Sequence, residues 1–167
     1  MNKRYSMTVS FVLSFILLST MLFSCSEDSD CSMTARPYMV CNFYKYGASK
    51  NIILNDTLPL LTVSALETDS IILNRQSKVH SYEQPLRYTK DTTAIVLTLN
   101  NNPAERDTVW VVHNNTPFFI SLECGYQVIQ ELVKVADYTR NRLDSVSLRR
   151  TEVNQSGYGR ENLQIMY

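Results

Sequence analysis

Glycine is scarce, with four residues in a chain of 167. So few cannot build the glycine-rich loop that cradles phosphates, and the Gly-x-Ser-x-Gly elbow of many hydrolases is absent. There are two histidines, His80 and His113, and neither stands at ligand spacing from a cysteine. That argues against a metal site, and no cofactor is expected. Excess charge of one sign is missing too: 16 basic side chains face 16 acidic ones. A nucleic-acid partner would need a basic face. No stretch sustains a 3.6-residue apolar period, so no long amphipathic helix is expected. No repeat of 20 to 50 residues is visible. What the chain has in quantity is Asn, Thr, Ser and Tyr, set among short runs of Val, Ile and Leu, which is a β composition.

The first 24 residues read as a targeting segment. Lys3 and Arg4 are followed by an apolar stretch from Met7 to Phe23. Leu22-Phe23-Ser24-Cys25 then resembles a lipobox, in which Cys25 is acylated on sulfur and becomes the first mature residue. A transmembrane anchor is the rival reading. The apolar stretch is at the bottom of the spanning range and runs into acids. Removal of residues 1–24 leaves 14 basic against 16 acidic side chains, a net charge of −2. Several acyl chains hold a protein to a leaflet without spanning it. The run Ser26-Glu27-Asp28-Ser29-Asp30 resembles the export signal that sends Bacteroidetes lipoproteins to the cell surface; as composition alone it is a solvated tether. Residues 25–35 are expected to form that tether, and 36–167 a single β domain.

Acylation of Cys25 leaves Cys31, Cys41 and Cys124 in an oxidising compartment, enough for one bridge. Cys41 is in phase with Met39 and Phe43 and suits a small buried hydrophobe. Cys31, at the start of the domain, and Cys124, on a long apolar strand, are the favoured pair. Their bridge would close a loop of some ninety residues, worth about 4–5 kcal/mol in the chain-entropy account.

Strands are expected at 38–44, 60–66, 69–73, 93–100, 107–113, 117–129, 143–149 and 162–167. That spacing predicts an all-β, immunoglobulin-like or Greek-key antiparallel β-sandwich of about seven or eight strands. Val109 to Val112 is apolar on both sides, so its strand should be central. Asn114-Asn115 is expected to make a tight hairpin, since Asn tolerates left-handed backbone. Phe118, Ile120, Leu122, Cys124, Tyr126 and Val128 would then share one face of a single long strand. Leu163, Ile165 and Tyr167 alternate to the last residue, which implies a docked final strand. A membrane barrel is disfavoured because several strands are too short to cross a bilayer.

Five tripeptides read Asp, then Ser or Thr, then an aliphatic residue or Thr: they place hydroxyls at Thr57, Ser70, Thr92, Thr108 and Ser145. The pattern resembles the O-glycosylation signal of exported Bacteroidetes proteins; a turn followed by a strand explains it equally. His113 and His80 are expected at the surface. Arg140, Arg142, Arg149, Arg150 and Arg160, interspersed with acids, suit a solvated face.

Taken in order, Cys25, Cys31, the strand Pro37 to Tyr44, Asp69-Ser70-Ile71, Cys124-Gly125-Tyr126 and Asn162 to Tyr167 resemble an uncharacterised family of small Bacteroidetes lipoproteins, a domain of unknown function. Cys41 departs from the aliphatic residue usual there. The resemblance implies a periplasmic or surface β domain and supplies no activity. The expectation is a lipid-anchored outer-membrane protein, held to the membrane by its lipid. It would serve as a non-enzymatic interaction module for an envelope protein or glycan. The alternatives are a structural or assembly lipoprotein on the periplasmic leaflet, or an undetected hydrolase.

Overall fold

A computed structural model of the chain describes residues 36–49, 51–68, 70–153 and 160–167. The signal segment, the acidic run and Cys31 lie outside these residues. Ten strands form: β1 Tyr38–Tyr46, β2 Ile53–Asn55, β3 Leu58–Ala65, β4 Ile71–Val79, β5 Ser81–Pro85, β6 Thr92–Leu99, β7 Arg106–Ser121, β8 Gly125–Tyr138, β9 Ser145–Leu148 and β10 Leu163–Met166. The fold is an all-β sandwich. One sheet runs β2-β1-β10-β9, with β5 also paired to β1; the other runs β4-β3-β6-β7-β8.

Alternation explains the core. Met39, Cys41 and Phe43 of β1 point inward, as do Leu163 and Ile165 of β10. They meet Leu61 and Val63 of β3, Ile95, Leu97 and Leu99 of β6, and Val109 and Val111 of β7. One face of each sheet therefore packs on the other, as side chains of period two require. β7 lies between β6 and β8, the central place that its two-sided apolar run implied. The final strand is docked, but in parallel to β1, with Cys41 opposite Leu163 and Phe43 opposite Ile165. This pairing breaks the purely antiparallel expectation. Buried Asn162 holds it in place: its Oδ1 accepts from Val40 N at 2.9 Å, and its Nδ2 donates to Glu152 O at 2.7 Å.

The largest correction concerns the hairpin. Asn114-Asn115 does not turn. Both residues lie within β7, which continues to Ser121, and the reversal comes at Leu122-Glu123-Cys124. Gly125 takes the left-handed backbone (φ 68°) there, and Ser121 Oγ accepts from Cys124 N at 3.1 Å. The predicted single strand 117–129 is thus the end of one strand, a turn and the start of another. The left-handed asparagine pair is Asn100 and Asn101, with φ of 53° and 56°, between β6 and β7. β2 and β5 were not expected. β2 has three residues, and β5 is polar, with only Tyr82 and Gln84 buried.

Candidate functional site

β6 pairs with β7 only from Arg106 to Val112. Just beyond that point β8 is bridged at Glu131 to Glu152, and past Asn115 and Gln130 β7 and β8 continue as a two-stranded ribbon to the turn at 122–124. A buried polar cluster sits where the ribbon leaves the sheet. Asn115 donates through Nδ2 to the carbonyls of Arg87, Tyr88 and Lys90, at 3.0, 3.2 and 2.6 Å. Those three acceptors fix the orientation of its amide. Its Oδ1 accepts from Gln130 Nε2 at 2.8 Å and from His113 Nδ1 at 3.2 Å. His113 Nε2 then accepts from the Thr93 hydroxyl at 2.8 Å, and Thr93 Oγ1 accepts from Arg87 N at 3.0 Å.

His113 is fully buried and in mid-strand, not at the surface as expected. The misplaced hairpin caused that error. Burial pushes its imidazole below the ordinary value, although Asn115 and Asp91 pull the other way. A neutral ring with both nitrogens hydrogen-bonded is a structural joint between β6, β7 and the 86–91 loop. His80 is exposed, as expected.

The same loop receives the start of the domain. Arg36 Nη2 donates to Leu86 O at 2.7 Å, and its guanidinium lies 4.7 Å from the centre of the Tyr88 ring. An open cavity of about 330 Å³ lies beside them, lined in part by Arg36, Glu67, Ile72, Leu86 and Arg87. Its charged groups are already matched, since Glu67 pairs with both Arg87 and Lys90.

At the far end of the ribbon the side chains turn apolar and exposed. Leu122 is 90% exposed, Tyr126 76% and Phe119 51%. Phe119 and Tyr126 contact edge to face, with ring centres 5.3 Å apart. A second exposed apolar group, Tyr46, Ile52, Ile53 and Leu54, lies on the β1–β2 hairpin. The two groups are at opposite ends of the sandwich. β1 starts beside the 86–91 loop and runs away from it to Tyr46. β10, parallel to β1, ends at Met166, whose carbonyl accepts from Asp144 N in the loop after β8, at the base of the β7–β8 pair.

That base is latched by Asp107, which is wholly buried. Its Oδ1 accepts from the Thr139 hydroxyl at 2.6 Å and from Asn141 N at 2.8 Å. Its Oδ2 accepts from Arg142 N and Leu143 N at 2.8 and 3.2 Å. Asp107 therefore spends its lone pairs on a loop.

Among the described residues no two cysteines are bridged to each other. Cys41 is a buried free thiol, and burial pushes it up to about 12, so it stays protonated and unreactive. Cys124 is disulfide-bonded, and it sits in the turn of the hairpin, not on a strand. Of the five hydroxyls, Thr57 and Ser70 are exposed, while Thr92, Thr108 and Ser145 are half-buried. Four lie at or just before the start of a strand, and Thr108 is the third residue of β7. The arginines do not form one patch. Arg140 and Arg142 lie within the loop that Asp107 caps, Arg149 and Arg150 follow β9, and all five named in the sequence are exposed. No cluster of three or more His, Cys, Asp or Glu side chains suited to a metal ion occurs among the described residues. Sequence reasoning missed Asp107 and Asn115; their types suggested turns, and nothing local marks a side chain that will cap a loop some thirty residues away.

A two-sheet sandwich with a protruding hairpin defines an all-β domain. Residues 60–167, from β3 to the last residue, match a family of unknown function (DUF6452), and the chain belongs to that family. No curated protein and no solved structure gives a significant match.

Proposed function

We propose that this protein is an outer-membrane lipoprotein, held by acylated Cys25 and displayed at the cell surface, whose sandwich is a non-enzymatic interaction module for an envelope protein or glycan. The observation that carries the module reading is the exposed group Tyr46, Ile52, Ile53 and Leu54. It stands at the end of the sandwich away from Arg36, the first described residue. Exposed apolar side chains grouped in this way mark interaction sites, and aliphatic chemistry favours a protein surface. Three groups that chemistry could use are occupied: Asp107 caps a loop, His113 is neutral and doubly bonded, and Cys41 is a buried thiol. With Cys25 acylated, the partner of Cys124 in its bridge would be Cys31. Thr57 and Ser70 are the hydroxyls accessible for glycosylation; an intact mass equal to the unmodified lipoprotein would remove that part.

The test has two arms. Wild-type protein should float with outer membranes, and Cys25→Ala should be left unprocessed and lose its acyl mass. Protease added to intact cells should then cleave the wild type; full protection would place it on the periplasmic leaflet instead. Crosslinking in native membranes should capture a partner that Ile53→Arg loses. Equal capture by both would overturn the module reading.

A further inference from the structure

The ribbon tip has a use that the interaction module does not absorb. We propose that the β7–β8 tip, through Leu122, Phe119 and Tyr126, is a second membrane contact that seats in the headgroup layer of the same bilayer that carries the lipid anchor. This rests on the reading of Cys25 as the acylated residue.

Three observations support this seat for the tip. The first is direction. Arg36, the first described residue, is bonded to Leu86, and the neighbouring carbonyls of Arg87, Tyr88 and Lys90 accept from Asn115 of β7. The chain therefore enters the sandwich at the end from which the ribbon projects. From Asn115 the ribbon extends six residues to Ser121, about 20 Å at strand rise. Cys25 is eleven residues before Arg36, a reach of at most about 40 Å. The ribbon thus spans about half of the greatest distance that the lead allows between the domain and its anchor.

The second observation is the bridge. Cys124 is disulfide-bonded in the turn itself, and Cys41 is free. The sequence has two other cysteines, and acylation removes Cys25. Cys31 remains, six residues from the anchor, or about 20 Å of fully extended chain. With Cys25 acylated, a bridge to Cys31 would tie the tip close to the lipid.

The third is chemistry. Leu122 next to Tyr126 and Phe119 is an aliphatic side chain flanked by aromatics, the mixture that settles at membrane interfaces, where rings lie at headgroup depth. The edge-to-face pair of Phe119 and Tyr126 holds the rings together outside the sheet. Glu123 is the charged residue of the turn and is exposed. Lipid anchor and tip together fix two points of the domain. The sandwich would then stand upright, with Tyr46 and Ile52 to Leu54 presented away from the membrane.

The test uses the full acylated protein purified from membranes and reconstituted into phosphatidylcholine vesicles, with and without acyl-brominated phosphatidylcholine as a contact quencher. Trp110 is the one native tryptophan and gives the baseline. Leu122→Trp and Ile53→Trp each add a tryptophan at an exposed position, so both should fold. Bromolipid should cut the added emission of Leu122→Trp by about twofold or more, as expected for interfacial depth, and leave that of Ile53→Trp unchanged. Vesicle-bound protein with neither position quenched would overturn the tip contact while leaving the anchor intact. Equal quenching at both positions would overturn the upright orientation and the proposal with it. Protein that fails to float with the vesicles would overturn the anchoring reading and this inference together.

Discussion

β7 and β8 are each two different objects along their length. In their basal half, from Arg106 to Val112 and from Lys134 to Tyr138, they are paired with β6 alongside and roofed by the opposite sheet, and Val109 and Val111 are buried. In their distal half, beyond Asn115 and Gln130, they pair with each other, and Phe119, Tyr126, Ile129 and, in the turn, Leu122 are exposed. Residue type hardly differs, since both halves are rich in aliphatic and aromatic side chains. What differs is cover. The basal half gains its stability from a second sheet; the distal half, lacking one, keeps apolar surface available for something outside the molecule. A two-stranded ribbon is marginal alone, and here it is held at its root by the polar cluster of His113, Asn115, Thr93 and Gln130.

The contrast can be broken or sharpened by mutation. Asp107→Ala should have the largest effect, about 3–5 kcal/mol in urea unfolding, because it strands three backbone N–H groups and a hydroxyl that the carboxylate satisfies. A loss under 1 kcal/mol would mean the basal latch is dispensable. Leu132→Ala, on a β8 residue buried in the core, should cost about 2–4 kcal/mol.

His113 should make stability depend on pH. Its folded pKa lies below the ordinary 6.5 because of burial, so the unfolded chain binds the proton first. The contribution is complete above pH 6.5 and is lost as pH falls below it, until the folded ring also titrates. The slope cannot exceed about 1.4 kcal/mol per pH unit. Denaturation of wild type against His113→Gln between pH 7 and pH 5 reads it; parallel curves would remove the imidazole from the account. Gly125→Ala should cost about 1 kcal/mol, through the left-handed backbone alone, because a Cβ there meets nothing within 4 Å. Leu122→Ser should change stability by less than about 0.5 kcal/mol. A larger loss would show the tip to be part of the core and would erase the distinction between the halves.

Much of the basal half was legible in the sequence. The alternation of Ile95, Leu97 and Leu99, the two-sided run Val109 to Val112 and the phase of Met39, Cys41 and Phe43 all name residues that are buried. The distal half was read wrongly at Asn114-Asn115. A pair of asparagines is a fair turn signal, but here the amide of Asn115 finds three loop carbonyls, and those contacts outweigh a local preference. The same misreading put His113 at the surface and Cys124 on a strand. The five Asp-Ser/Thr sites illustrate a different limit: the motif is visible in the chain, but exposure at Thr57 and Ser70, and partial burial at the other three, depend on how the sheets stack.

The sequence by itself determined that this would be a β protein with one apolar core, because a period of two is a property of the strand and is written residue by residue. Only the tertiary structure decided which end of the sandwich receives the chain, that β10 lies parallel to β1, and which apolar side chains are left without cover. Those outcomes turn on contacts between residues far apart in the chain, such as Arg36 with Leu86, Val40 with Asn162 and Asp107 with Leu143. No local preference encodes them; they follow from satisfying buried polar groups once the sheets have closed.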